Sequence, residues 1–206
     1  MSTKFTFLRY TIYAALTYGL LEIMRYDAIN TVGDLKFSET SLVEQLQNVF
    51  LVIALVFLAS TRTYKSVKYI LTLILGLFLI REQDAFLDTA IGEHSWKVLC
   101  GIFAAIIGYK IYQYRKIISS EIEEFIKQAS SGIIFLGFIT LLIFSRMFGR
   151  KKFWMAVENT ENYTRNVKNA AEECTELFAY FLILIGIIEF FFFAKNTVKK
   201  LQQSTI

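Results

Sequence analysis

Residues 73–88 read LILGLFLIREQDAFLD. Eight largely apolar residues, Leu73 to Ile80, run straight into Arg81, Glu82, Gln83 and Asp84, and Asp88 follows a turn later. Whether a membrane ends at Ile80 or continues past these charges decides whether the chain carries a polar site within its apolar mass. The uninterrupted run Tyr69–Ile80 makes only ~18 Å of helix, against a hydrocarbon core of ~30 Å. To span, this helix must carry Arg81–Asp84 into the bilayer. The preceding segment has the same shortfall. Its run Val49–Ala59 is too short, so Glu44, Gln45, Gln47 and Asn48 are expected to enter as well.

Composition sets the frame for that reading. The 206 residues are 55% hydrophobic, with no proline and 20 phenylalanines, and the mean hydropathy is +0.46. That is the profile of a polytopic helical membrane protein in a single domain over residues 1–206. The net charge of +4 does not point to nucleic acid, because Lys and Arg gather at the ends of apolar segments and no basic–aromatic surface is evident. Cys100 and Cys174 form no CxxC motif or disulfide framework and read as reduced small hydrophobes.

Six segments are long enough to span: about 5–25, 41–60, 65–89, 94–114, 130–148 and 165–194. The first is read as a retained membrane helix, since Arg9 interrupts it and no signal cleavage site follows. Ser41 and Glu44 have capping-box spacing at the second, and Gly33, Gly92 and Gly149 suit helix ends. RKIISSEIEEFIKQ, between the fourth and fifth, reads as a charged surface helix. After the fifth, Phe153, Trp154 and Met155 suit the membrane interface while Arg150, Lys151 and Lys152 meet headgroups. The Asn162-Tyr-Thr triplet is a glycosylation acceptor only in a secretory pathway. A slight Lys/Arg bias places both termini in the cytoplasm of a plasma or bacterial inner membrane.

With alternating spans, the polar ends of all six helices fall at one membrane face. Within them, residues three or four apart share a helix face: Glu22 with Arg25, Glu44 with Asn48, Arg81 with Asp84 and Asp88, His94 with Lys97, and Asn169 with Glu172 or Glu173, Glu176 and Tyr180. Charges cost several kcal/mol in lipid, so these stripes are expected to face inward and pair. The expectation is a mixed-charge chamber open to the non-cytoplasmic side. Its lining for a ligand or ion is Glu44, Asn48, Arg81, Asp84, Asp88, His94, Arg146, Asn169, Glu172 and Glu176.

Several functions fit such a chamber. The leading one is transport or conduction of a cation, through an oligomer if the apolar cytoplasmic half blocks a single chain. There Glu189 is the main polar group, ~20 Å along the helix from Glu176. The runner-up is a membrane-embedded hydrolase acting on a lipid or other amphiphile. The carboxylate pairs Asp84/Asp88 and Glu172/Glu176 would hold a divalent metal, and Arg81 or Arg146 would grip an anionic headgroup. A third is a sensor that signals to a cytoplasmic protein partner. The bland alternative is that the charges only hold helices together. His94, alone at a helix start beside Trp96, more often caps than ligates. Ser145 lacks a triad setting, and no glycine-rich phosphate loop is present.

Overall fold

A computed structural model describes residues 3–30, 36–37, 41–158 and 165–203, and among them all regular structure is helical. Gly33 and the Asn162 triplet lie outside the described residues. The helices are α1 (Thr3–Asn30), α2 (Leu42–Ser60), α3 (Lys65–Glu82), α4 (Asp84–Ala90), α5 (Ser95–Gln113), α6 (Ile118–Ile126), α7 (Ala129–Ile139), α8 (Ser145–Phe148), α9 (Lys151–Glu158) and α10 (Arg165–Gln203). A π-helical turn, Thr140–Phe144, joins α7 to α8. With no proline in the chain, nothing covalent interrupts the long rods.

Four stretches are long and apolar enough to cross a membrane: Leu42–Ser60, Ser95–Gln113, Ala129–Phe148 and Arg165–Thr197. They match the second, fourth, fifth and sixth expected segments. The first and third are helical but fall short of that apolarity. Lys4, Arg9, Glu22 and Arg25 stud α1, and Lys65, Lys68, Arg81 and Glu82 bracket α3. Exposed apolar residues line the long helices, among them Phe7 and Leu16 on α1, Val52 and Val56 on α2, and Ile102 and Ile106 on α5. Such faces fit a lipid environment.

The third segment, expected as one helix over 65–89, is two. It breaks at Gln83 (φ −102°, ψ 16°), and the short α4 that follows buries no residue. Arg81 stands in the last turn of α3, where the helix dipole favours a cation, and Asp84 in the first turn of α4, where it favours an anion, while Glu82 at the end of α3 opposes the dipole. The Asp84 carboxylate accepts a 2.6 Å hydrogen bond from the Ala85 amide and so competes with helix continuation.

The residues group into two compact units. Unit 1 comprises 1–47 and 137–181, and unit 2 comprises 48–136 and 182–206. α2, α7 and α10 each contribute to both.

Unit 2 has a largely apolar interior, in which Thr61, Ser66 and Ser130 are also buried. Leu51, Leu58, Leu75, Ile183, Ile187 and Phe190 are fully buried. Glycine permits close helix approach: a Cβ at Gly76 of α3 would overlap the Phe103 ring of α5, and one at Gly186 of α10 would overlap Ile134 of α7. The turn into α3 is tied by Glu121 of α6, whose carboxylate accepts from the amides of Lys65 (3.1 Å) and Ser66 (2.7 Å). Tyr64, in the left-handed region at φ 52°, packs its ring on Phe190 and Phe193. Burial, then the hydrogen bond with Glu124, pushes its phenol up to about 12.

Unit 1 mixes Leu20, Val43, Leu141, Leu177 and Phe181 with buried Asp27, Ser41, Gln47, Ser145 and Glu176. The start of α2 shows how these are used. The Ser41 hydroxyl accepts from the Glu44 amide (3.2 Å), as the capping-box spacing predicts, and the Asp27 carboxylate of α1 accepts from the Val43 amide (3.2 Å). Both acceptors answer amides that helix geometry leaves open. Lys36 donates its side chain to the Ala28 carbonyl and its amide to the Asn166 side chain (3.1 Å). Trp154 of α9 donates to the Phe148 carbonyl (2.6 Å) and packs against Phe148 and Phe153.

Candidate carboxylate site

The most polar interior in unit 1 is built where α10, the π turn and the start of α2 meet. Glu172, Glu173 and Glu176 occupy little more than one turn of α10, just before its most apolar run, which begins at Leu177. Each has a different partner. Glu172 pairs with Lys168 one turn back (2.8 Å), and its carboxylate lies flush on Gly149, where a Cβ would overlap it. Glu173 accepts from the Gln47 side-chain amide at 3.0 Å, and the same NH₂ lies 3.1 Å from the Glu173 carbonyl. Glu176, only 5% exposed, sits 3.0 Å from the Ser145 hydroxyl and 4.0 Å from the Arg146 guanidinium.

The π turn sets the Ser145 geometry. Within it the Ser145 amide donates to the Thr140 carbonyl, one residue further back than in an α-helix. The Leu141 carbonyl, which that amide would ordinarily reach, is met instead by the Ser145 hydroxyl at 2.5 Å. Ser145 is fully buried and its hydroxyl has one proton. If it donates to Leu141, its contact with Glu176 requires a proton on the carboxyl. If Glu176 is ionised, the hydroxyl must turn to it and leave the carbonyl. The contact therefore has two hydrogen-bonded forms that differ by one proton on Glu176.

Gln47 adds an independent feature. It is 0% exposed, and its Oε1 meets no hydrogen-bond donor although its NH₂ is fully used. A buried amide oxygen without a donor is costly, and that cost is relieved when a proton donor or a cation arrives.

The residues expected to line one chamber divide between the units. Glu44, Arg146, Asn169, Glu172 and Glu176 belong to unit 1, and Asn48, Arg81, Asp84, Asp88 and His94 to unit 2. In unit 1 the structure brings Glu176 to Arg146, gives Glu172 to Lys168, and leaves Asn169 half-buried a turn before Glu173. In unit 2, Asn48 accepts from Gln83 (2.9 Å), and Asp88 lies 3.5 Å from the Ser95 hydroxyl. Arg81, Asp84 and His94 are exposed, and His94 opens α5 from the left-handed region at φ 66°. The helix break separates Arg81 on α3 from Asp84 and Asp88, which stay one turn apart on α4. Among the described residues no group of three or more His, Cys, Asp and Glu side chains is arranged to hold a metal. Of the carboxylate pair on α10, Glu172 is held by Lys168 and Glu176 lies against Ser145 and Arg146. Cys100 and Cys174 are free.

Three members of the site were not foreseen as such. Gln47 and Glu173 were legible only as polar residues at membrane depth. Ser145 was weighed as a nucleophile, whereas it is a hydrogen-bond relay whose signal is its position one turn beyond Leu141. No known protein family, curated protein or solved structure matches this chain.

Proposed function

We propose that this chain is an integral membrane protein whose carboxylate site takes up and releases a proton, and that it transports this cation. The observation that carries the reading is the Glu176–Ser145–Leu141 contact, buried within two apolar helices, which is satisfied in two forms one proton apart. Arg146 stands by as the counter-charge, and Glu173 with the open Gln47 oxygen offers a second station beside it. Ionisable groups within membrane helices mark proton relays in general. In this reading α1 and α3 complete six spans, both termini are cytoplasmic, and the site opens to the other side. The apolar outer faces of α1 support its place in lipid.

The test is proton flux into liposomes that hold the full chain and a pH-sensitive dye, driven by a potassium diffusion potential. Wild type should acidify the lumen faster than empty vesicles, Glu176→Gln should abolish the excess, and Ser145→Ala should cut it severalfold. Wild-type flux equal to that of empty vesicles would refute transport.

One observation favours a second reading, a proton sensor. Between Glu176 and Glu189, ~20 Å along α10, the residues are apolar except Tyr180, and Tyr180 is buried. A proton on Glu176 would then act by releasing or engaging the Leu141 carbonyl, and so by biasing the π turn. No flux, with a pH-dependent change in protection at 140–146 that Glu176→Gln removes, would establish it.

A further inference from the structure

Unit 2 contains a groove of about 490 Å³ that the carboxylate site does not use. Its floor is one face of α3, from Lys68 and Tyr69 through Thr72 and Gly76 to Leu79 and Ile80. This face is ~18 Å long at the α-helical rise. Leu55 and Ala59 of α2 form one wall, and Phe103 of α5 forms the other. The ring of Phe103 lies directly on Gly76, which keeps the groove shallow and continuous there.

The two ends differ in chemistry. Toward Leu79 and Ile80 the lining is aliphatic. At the other end stands Lys68, whose ammonium donates to the carbonyls of Ala59 and Thr61, both at 2.9 Å. An ammonium has three donors, so one remains to be directed outward. Around it are exposed Arg62 and Lys65, with Lys65 over the Tyr114 ring (5.2 Å) and Tyr69 stacked on Tyr114 (5.8 Å). Cations and tyrosines together at one helix end are the mark of a membrane–water interface.

We infer that this groove binds an anionic phospholipid, with one acyl chain along α3 and the phosphate at Lys68. The apolar length demands a chain. The cationic mouth favours an anionic head, which a zwitterionic lipid supplies less well. Lys68 fixes the depth of the head, because its two carbonyl bonds hold the ammonium at the end of α2 instead of letting it follow the solvent. The inference is independent of any proton carried by Glu176.

The test is native mass spectrometry of the full chain in detergent, titrated with dioleoyl-phosphatidylglycerol or dioleoyl-phosphatidylcholine. One phosphatidylglycerol should persist per chain at activation energies that strip phosphatidylcholine. Lys68→Gln should weaken its retention about fivefold, the effect of one interfacial cation. Lys68→Arg should keep it, which separates charge from folding. Thr72→Phe should displace the chain while leaving all cations in place. Equal retention of both lipids, or unchanged phosphatidylglycerol retention in both Lys68→Gln and Thr72→Phe, would overturn the inference. So would dimers that exclude lipid and dissociate in Thr72→Phe, because a second copy would then be the occupant.

Discussion

The two units of this protein fill their interiors differently. Unit 2 relies mainly on leucine, isoleucine and aromatics, with only the small hydroxyls of Thr61, Ser66 and Ser130 buried among them, and brings helices together at Gly76 and Gly186. Unit 1 buries Asp27, Gln47, Ser145 and Glu176, each against a named partner. Lipid offers helices no hydrophobic drive to associate, so unit 2 relies on close fit. Unit 1 relies on polar bonds that are strong only while every member is satisfied. Under the proposed function the difference assigns roles: a mainly apolar region whose packing sets stability, and a polar region whose bonding answers to a proton. It follows that substitutions in unit 2 should change stability and spare flux, and those at the carboxylates should do the reverse.

The largest stability effect should come from Phe190, which is fully buried and meets the rings of Tyr64 and Phe125. Phe190→Ala should cost about 3 kcal/mol, the usual scale for deleting a buried ring, measured by unfolding in mixed micelles. Glu176→Gln is its counterpart. It keeps shape and hydrogen-bonding capacity, so it should shift stability by under ~1 kcal/mol while proton flux disappears. Equal destabilisation by the two would erase the distinction between the units.

Next are the helix starts, where each unit uses a carboxylate from another helix as a cap. Glu121→Ala should cost about 2 kcal/mol, since the amides of Lys65, Ser66 and Val67 at the start of α3 lose their acceptor. Asp27→Ala should cost about 1 kcal/mol through the single Val43 amide. Thermal unfolding of the two variants side by side checks the order.

Much of this architecture was legible in the chain, and the misses have physical causes. Apolar length placed α2, α5 and the Ala129–Phe148 rod to within a residue or so at each end, because hydrocarbon thickness constrains every such helix alike. The break at Gln83 was missed because the shortfall in apolar length was assigned to charges entering the membrane. Asp84, one residue past Gln83, also suits the first turn of a new helix, and a new helix is what forms. The π turn was illegible, since it depends on a single amide choosing Thr140 over Leu141. The burial of Glu176 agrees with its position as the last acid before the apolar run of α10. Glu173 needed Gln47, whose pairing with it depends on how α2 packs against α10.

The smallest predicted effect is the one that most sharpens the contrast. Arg81 and Asp84 flank the break, are exposed, and belong to unit 2. As junction residues they contribute little. Arg81→Gln and Asp84→Asn should each alter stability by no more than ~0.5 kcal/mol, as exposed surface changes do, and should leave proton flux at the wild-type rate. As chamber residues they would behave like Glu176, and flux would fall with folding intact. The same liposome assay separates the two, because neither substitution touches a buried partner. Unchanged flux confines the site to the carboxylates around Ser145 and Gln47. A loss restores the wider chamber, and with it a place for the charges that follow Ile80.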